Sequence, residues 1–257
     1  MKRRVIGLLQ ARTDSTRLPK KVLKNLLGKP MIIQELTRVA KSTLIDELIL
    51  VTSLEKNDDK LVKITQEANF QVYRGSKDNV LERFYECAEK LNLRDNDVIV
   101  RLTGDCPLHD ATIIDESINE FLDSNVDYLA NCVVPVYPDG LDTEVFTFKA
   151  LKQAYNKATK LSEMEHVTPF IRESGLFKVA DLEQEAIHPE WRLTVDEPSD
   201  FLVIENIYNH FQSNEFTFQD IVEYLENNED ILAINNQINR NEGYLKSLEA
   251  DIIKKDL

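Results

Sequence analysis

Residues 5–21 read VIGLLQARTDSTRLPKK, an apolar run followed at once by a loop rich in cations and hydroxyl groups. The run Val5–Leu9 predicts a short buried strand. The loop therefore follows the carboxyl end of a first strand, where open α/β sheets bind their ligands. Its guanidinium and ammonium groups suit a polyphosphate. The cations and hydroxyls of the loop are Arg12, Arg17, Lys20, Lys21, Thr13, Ser15 and Thr16.

The charge of this loop contrasts with that of the whole chain. The protein has 31 basic and 45 acidic residues and a formal net charge of -14, yet Asp14 is the one acid in residues 1–30. A cationic island in an acidic chain favours an anionic small molecule over nucleic acid, and the acidic balance argues against nonspecific membrane binding. A solvated basic loop is the alternative. The position after a strand and the hydroxyl content favour a binding loop.

The bulk properties indicate one large α/β domain, with or without an appendage. The chain has 257 residues, of which 42% are hydrophobic, enough for a sizeable core. No apolar run approaches the ~20 residues that span a bilayer, and the N-terminal segment has no signal-peptide pattern, which predicts a cytoplasmic protein. Cys87, Cys106 and Cys132 have no CxxC spacing, so we expect reduced thiols rather than disulfides or a zinc site.

Strand and helix patterns alternate through the first half of the chain. Repeated βα units of this kind imply a parallel sheet with right-handed crossovers. Residues 57–59 and Asp78 are placed to cap two of the helices. Strands are predicted near residues 5–9, 47–52, 70–73, 98–102 and 128–130, with further helices near 31–41 and 111–123.

The second half is less regular and ends in a helical tail. We expect a main domain over residues 1–228 and a tail over 229–257, whose apolar spacing is consistent with a homodimer. Predicted strands lie near residues 144–148 and 177–182. Predicted helices lie near 149–158, 163–172 (interrupted or begun near Pro169), 198–211, 217–227 and 229–252.

Two aspartates follow later strand-like segments. Asp105 stands in GDCP, just past residues 98–102, and Asp196 follows residues 191–195. Carboxylate oxygens together with substrate phosphates are typical ligands of Mg2+, so these two residues are candidates to share one metal. The alternative is structural: Asp105 would cap a turn, and Asp196 would cap the helix that Pro198 starts.

Other polar residues have weaker contexts. Asp139 and Asp142 lie in a turn-like segment and could hydrogen-bond a polyol, although turn chemistry explains part of this pattern. Glu165 and His166 precede Pro169, and a lone histidine is more often structural than catalytic. Arg74 follows a short strand, and Arg83 comes shortly after it. Either arginine is a nucleotide contact or half of a surface ion pair.

Taken together, these segments resemble the cytidylyltransferases of the CMP-sialate and CMP-Kdo synthetase type, and in particular the SpsF-like branch of spore-coat polysaccharide synthesis. The resemblance covers nearly the whole chain, and its first motif is specific for nucleotidyl transfer. The motifs are QAR (10–12) with STRLPKK (15–21), RLTGDCP (101–107), YPDGLD (137–142), EHVTP (165–169), RLTVD (192–196) and NRNEGYLKS (239–247).

The resemblance implies a Rossmann-like nucleotide-diphospho-sugar transferase fold, with a mostly parallel mixed sheet flanked by helices and a helical C-terminal tail. It also implies that a CTP triphosphate lies among Arg12, Ser15, Arg17 and Lys21, with Mg2+ on Asp105 and Asp196. The family loop often has glycine after the proline, where this chain has Lys20. Lys21 then matches the phosphate-binding lysine of the family.

The predicted function is Mg2+-dependent transfer of CMP from CTP to a sugar, sugar acid or phosphorylated polyol, with release of pyrophosphate, for a surface glycan. Arg12, Arg17 and Lys21 are the predicted catalytic cations. Leu8, Ala11, Arg12, Ser15, Arg17, Lys21, Arg74, Thr103 and Asp105 are predicted to bind the nucleotide. Asp139, Asp142, Glu165, His166 and Arg192 are predicted to contact the acceptor.

Two other functions fit the same fold. A glycosyltransferase would use a nucleotide-sugar donor, but it would need a DxD-type metal motif after a strand, and no clear one is present. A non-catalytic binding module could share the fold without the chemistry. Release of pyrophosphate from CTP separates these alternatives from a nucleotidyltransferase.

Overall fold

The centre of the molecule is a seven-stranded mixed sheet. We describe it from a computed structural model, which covers residues 2–240 and 242–255. The strand order is β5-β4-β1-β6-β8-β7-β9, and β2 and β3 form a separate small hairpin. The strands are β1 Val5–Gln10, β2 Asn25–Leu26, β3 Lys29–Pro30, β4 Glu47–Ser53, β5 Gln71–Gly75, β6 Val98–Thr103, β7 Tyr128–Ala130, β8 Glu144–Thr147 and β9 Val179–Asp181.

The pairing of β1 positions the loops that follow it. β1 runs parallel to β4 and β6, so that Gln10 lies opposite Val51 and Thr103. Because the three strands end at one edge of the sheet, the loop after β1 lies beside the loop after β6. β8 is antiparallel to both β6 and β7, while β9 returns parallel to β7. The predicted mostly parallel mixed sheet is confirmed.

Helices cover both faces of the sheet. Side chains alternate along β1, so Val5 and Leu9 pack into the core on one face while Ile6 and Leu8 pack into the core on the other. No helix among the described residues is both long and apolar enough to cross a membrane. The helices are α1 Met31–Val39, α2 Asp59–Glu67, α3 Val80–Lys90, α4 Ala111–Asp123, α5 Phe148–Lys157, α6 Leu161–His166, α7 Pro169–Glu173, α8 Pro198–Phe211, α9 Phe218–Glu226, α10 Glu229–Leu232 and α11 Glu242–Lys255.

Two predicted helix boundaries differ in the structure. Asp78 does not cap α3: the side chain of Asn79 accepts the hydrogen bond from the Glu82 backbone N–H, at 3.0 Å. The helix predicted over 163–172 begins earlier, at Leu161, but its predicted interruption near Pro169 is confirmed, because Val167 takes a positive φ of 71° and ends α6. Pro169 then starts α7, since its fixed φ suits the first turn of a helix.

The predicted helix over 229–252 is also wrong, because α10 ends at Leu232 and α11 begins at Glu242. Between them, the Asn235 amide donates to the Arg192 carbonyl at 3.0 Å and to Asp200 at 2.9 Å. These contacts join the tail to buried polar groups far away in the chain. Such tertiary contacts override the weak local preference of the segment for helix.

Candidate active site

The cationic loop, residues 11–21, is held by a buried carboxylate from the start of α2. Asp58 is 1% exposed and accepts hydrogen bonds from the Thr13 backbone N–H at 2.8 Å and the Thr13 hydroxyl at 2.7 Å. Its other oxygen accepts from the hydroxyls of Ser53 and Thr52. The side chain of Asp58 makes no helix-cap hydrogen bond. The predicted capping role of residues 57–59 is therefore replaced by anchoring of the loop.

Replacing Asp58 with asparagine is expected to lower the free energy of unfolding by about 1–3 kcal/mol, because an amide N–H2 would face buried donors. The pKa of Asp58 is lowered: burial raises it, but the hydrogen bonds from Ser53 and Thr13 outweigh burial. The stabilisation is therefore complete above the unfolded pKa of 3.8 and is lost as pH falls through the folded pKa. Urea unfolding at pH 7 and at lower pH measures both effects.

The control is Asp59→Asn, at the exposed neighbouring carboxylate that pairs with Arg74. That change is expected to cost under about 1 kcal/mol. Equal losses in the two variants would contradict the anchoring role of Asp58.

Gly104 allows the loops after β1 and β6 to touch. Its backbone N–H donates to the Gln10 carbonyl at 2.7 Å. A Cβ atom at position 104 would lie 2.6 Å from the Cβ of Ala11 and 3.0 Å from the Gln10 oxygen, and both distances are too short. Gly104 therefore permits a close backbone approach, which brings Asp105 beside the cationic loop.

Lys21 joins the two aspartates that were predicted to act together. Its Nζ lies 3.0 Å from Asp105 Oδ2 and 2.8 Å from Asp196 Oδ1, and it also donates to the Val195 carbonyl at 2.8 Å. Arg17 adds a second cation, 2.9 Å from Asp196 Oδ1. Burial raises the pKa of Asp105, but the Lys21 ammonium outweighs burial and the pKa falls to about 2. Burial lowers the pKa of Lys21, and the two carboxylates raise it by more.

Arg192 pairs with three aspartates, and one of them, Asp196, also pairs with Lys21. Its guanidinium donates to Asp139 at 2.9 Å, to Asp196 at 3.3 Å and to both oxygens of Asp200, at 2.9 and 3.0 Å. Asp200 is fully buried and also accepts from the backbone N–H groups of Asp196 and Glu197 at 2.8 Å. The alternative of Asp196 as a helix cap is wrong, because Glu197 is the N-cap of α8.

These residues surround an open cavity of about 1000 Å³. Leu8 is fully buried within β1 and does not line the cavity. Arg74 does not line it either: its guanidinium donates to the Ser53 and Glu55 carbonyls and pairs with Asp59, in line with the ion-pair alternative. The predicted site residues that line it are Ala11, Arg12, Ser15, Arg17, Lys21, Thr103, Asp105, Asp139, Asp142, Glu165, His166, Arg192 and Asp196.

Arg83 lines the cavity where Arg74 does not. It is 2% exposed and donates to the carbonyls of Ser76 at 2.8 Å and Lys77 at 3.0 Å. Burial and the nearby Arg12 guanidinium lower its pKa to about 10, so it remains a cation at neutral pH. Arg74 and Arg83 are both candidate nucleotide contacts from the sequence, and of the two it is Arg83 that lines the cavity.

The other half of the cavity is built around β8 and α6. Glu144 is buried and pairs with Arg101, while it accepts from the hydroxyls of Tyr128 and Thr168, both at 2.6 Å. Burial and, as a smaller effect, the nearby Arg101 guanidinium lower the pKa of His166 to about 4, so the ring is neutral at pH 7. Burial and the Asp142 carboxylate raise the pKa of Asp139 to about 7. This half therefore offers both donors and acceptors.

The sequence of residues 6–238 matches a family model described as cytidylyltransferase. The chain belongs to the cytidylyltransferase family. This cytidylyltransferase is accordingly a nucleotidyltransferase, and its fold is the Rossmann-like fold of nucleotide-diphospho-sugar transferases. A solved structure of a cytidylyltransferase from Leptospira borgpetersenii serovar Hardjo-bovis is similar, with a TM-score of 0.84 and 31% identity over 90% of this chain and 97% of that one.

Two curated relatives extend the comparison. This chain is 36% identical to the uncharacterized protein MJ1063 of Methanocaldococcus jannaschii over 242 residues. The alignment covers 91% of this chain and 96% of that protein. This chain is also 32% identical to the spore coat polysaccharide biosynthesis protein SpsF of Bacillus subtilis over 217 residues. That alignment covers 79% of this chain and 86% of SpsF. The predicted resemblance to the SpsF-like branch is confirmed.

Proposed function

We propose that this protein transfers CMP from CTP to a sugar, sugar acid or phosphorylated polyol, with Mg2+ as cofactor and pyrophosphate as the second product. The observation that carries the proposal is the position of Lys21 between Asp105 and Asp196, beside Arg12 and Arg17 on one wall of the cavity. The similarity to SpsF supports a role in the synthesis of a surface glycan.

The residues present fit a magnesium ion. Asp105 and Asp196 already share one cation, the Lys21 ammonium, and their carboxylate oxygens are the ligands that Mg2+ prefers. Among the described residues, no group of three or more His, Cys, Asp or Glu could hold a metal. Two carboxylates completed by substrate phosphates are a common way to bind Mg2+. When bound there, Mg2+ would supply positive charge to neutralise the phosphates.

The side chains of the loop would bind and orient the triphosphate. Arg12 would contact the α-phosphate, while Arg17 and Lys21 would bind the β- and γ-phosphates, with Ser15 and Thr103 as further contacts. The acceptor oxygen attacks the α-phosphorus in line, the bond to the β-phosphate bridging oxygen breaks, and pyrophosphate leaves with the electron pair. The protein contributes positioning and neutralisation of developing charge.

The second half of the cavity would hold the acceptor. Asp139, Asp142, Glu165, His166 and Arg192 all line the cavity, and Arg192 also contacts Asp196. The neutral imidazole of His166 can exchange hydrogen bonds with hydroxyl groups without carrying a charge. The carboxylates can accept hydrogen bonds from a polyol. This arrangement orients a hydroxyl-bearing molecule towards the phosphate-binding cations.

Nucleotide binding and pyrophosphate release test the proposal. Thermal shifts with CTP, UTP, GTP and ATP are expected to show the largest stabilisation with CTP and Mg2+, and less stabilisation when EDTA replaces the metal. Pyrophosphate release from CTP is then measured with sugars, sugar acids and polyol phosphates in turn. Preference for a purine nucleotide, or CTP binding without pyrophosphate release for any acceptor class, would contradict the proposal. A glycosyltransferase would release no pyrophosphate.

A further inference from the structure

One wall of the cavity is made by α11, which begins after the part of the chain that matches the family model. The match ends at residue 238, and α11 spans Glu242–Lys255. Tyr244, Ser247 and Ala250 of this helix nevertheless line the same cavity as the cationic loop. The wall is therefore formed by a segment that lies outside the matched region.

This helix contacts Glu165 and His166, the two α6 residues that we place beside the acceptor. The Ser247 hydroxyl donates to Glu165 at 2.8 Å and lies 3.0 Å from His166 Nε2. One turn further along, Asp251 accepts hydrogen bonds from the backbone N–H and the hydroxyl of Ser162. Ser247 is 7% exposed, so its hydroxyl has a fixed position. The orientation of His166 and Glu165 thus depends on α11.

Tyr244 lies in the first turn of α11, beside residues of α6 and α7. Its hydroxyl donates to Glu173 at 2.7 Å, and its ring lies edge-on to His166 with 5.2 Å between ring centres. Just before it, Glu242 lies 3.6 Å from the Arg17 guanidinium. The first turns of α11 therefore run from a phosphate-binding cation to the acceptor-side residues. A molecule that reacts with CTP would lie beside this stretch.

We propose that α11 recognises the acceptor, and that Tyr244 and Ser247 are its specificity-determining residues for a polyhydroxylated molecule. Ser247, Glu165 and His166 together offer hydrogen-bond donors and acceptors, which match hydroxyl groups. The Tyr244 ring offers an apolar surface with a polar tip, which suits the mixed surface of a sugar. The inference rests on the proposed function, because the nucleotide half must hold the cytidine phosphate for the sugar to reach α11.

Binding of cytidine nucleotides with and without a sugar part tests this role. The probes are CMP, CDP-glucose, CMP-N-acetylneuraminate and CDP-ribitol, measured by calorimetry on the full chain. At least one sugar-bearing probe is expected to bind more tightly than CMP. For that probe, Tyr244→Ala and Ser247→Ala are each expected to weaken binding about five- to tenfold, as for the loss of one buried hydrogen-bond partner. Their affinity for CMP is expected to change less than about twofold.

The matched control is Lys246→Ala, at an exposed position of the same helix, which is expected to leave all four affinities unchanged. Tyr244→Phe keeps the ring and removes the hydroxyl, so it separates ring packing from the contact to Glu173. Equal affinity of the wild type for CMP and all three larger probes would overturn the inference, as would equal losses for CMP and the larger probes. Failure of CTP to bind in a parallel titration would instead overturn the proposed function, and the inference with it.

Discussion

Replacing Lys21 or Arg17 with alanine is expected to lower turnover at least ~100-fold, as for the loss of a preorganised group that stabilises developing charge. Each side chain already contacts a carboxylate of the site, at 2.8 Å for Lys21 and 2.9 Å for Arg17. In the proposed reaction, negative charge builds on the leaving pyrophosphate. These two cations of the loop line the cavity and would compensate that charge.

The measurement is the rate of pyrophosphate release at saturating CTP and acceptor. Lys20→Ala is the matched control, because Lys20 is an exposed cation of the same loop and does not line the cavity. It is expected to keep a rate within about twofold of the wild type. Lys21→Ala also leaves Asp105 and Asp196 without their shared cation, so urea unfolding is needed to confirm a folded protein. Near-normal rates in both loop variants would remove the proposed catalytic roles.

The sequence predicted the sheet core and the position of the loop because these depend on local patterns. An apolar run followed by a charged loop specifies a strand and its end whatever the rest of the chain does. Val5–Gln10, Val98–Thr103 and the helix Ala111–Asp123 accordingly lie within a residue of their predicted ranges. The strand-like segment predicted before Asp196 is not a strand: residues 191–195 form only an isolated bridge, between Asp139 and Arg192. Asp196 lies beside Asp105 because the Val195 backbone N–H donates to the Asp105 carbonyl at 2.7 Å.

Contacts between distant segments could not be predicted in the same way. A polar residue before a helix has the pattern of a cap, and only the packing of the loop against α2 shows that Asp58 bonds Thr13. The choice between Arg74 and Arg83 likewise depends on where α3 lies. The break between α10 and α11 depends on Asn235, whose partners are 43 and 35 residues away. Such pairings are set by the assembled fold rather than by local propensity.

The second large effect is expected from Arg192→Met, which we predict to lower the free energy of unfolding by about 3–5 kcal/mol. Removing one partner of a buried ion pair leaves the other charge uncompensated. This costs more free energy of folding than the intact pair contributes. Here the charge left behind is Asp200, which is fully buried, and Asp139 would lose the same partner. Methionine retains an apolar stem of similar length, so the change tests the charge rather than the packing.

The pH dependence separates this mechanism from a simple packing defect. Burial raises the pKa of Asp200, but the hydrogen bonds from Arg192 and then from Glu197, Asp196 and Asn235 together outweigh burial, so the folded pKa lies below 3.8. The stabilisation from this pair is then complete above pH 3.8 and is lost as pH falls through the folded value. In the variant, burial would still raise the pKa of Asp200, and only the hydrogen bonds from Asp196, Glu197 and Asn235 would oppose it. The difference in unfolding free energy between wild type and Arg192→Met is therefore expected to be largest near pH 7 and to shrink towards pH 3.

Urea unfolding across this pH range measures the difference, with Lys41→Met as the control. Lys41 pairs with the exposed Glu215, and its loss is expected to cost under about 1 kcal/mol. A constant difference for Arg192→Met at every pH would assign its effect to packing instead of charge. A loss no larger than that of the control would show that Asp200 finds another partner. The donors that remain in the variant are the backbone N–H groups of Asp196 and Glu197, both at 2.8 Å, and the Asn235 amide, at 2.9 Å.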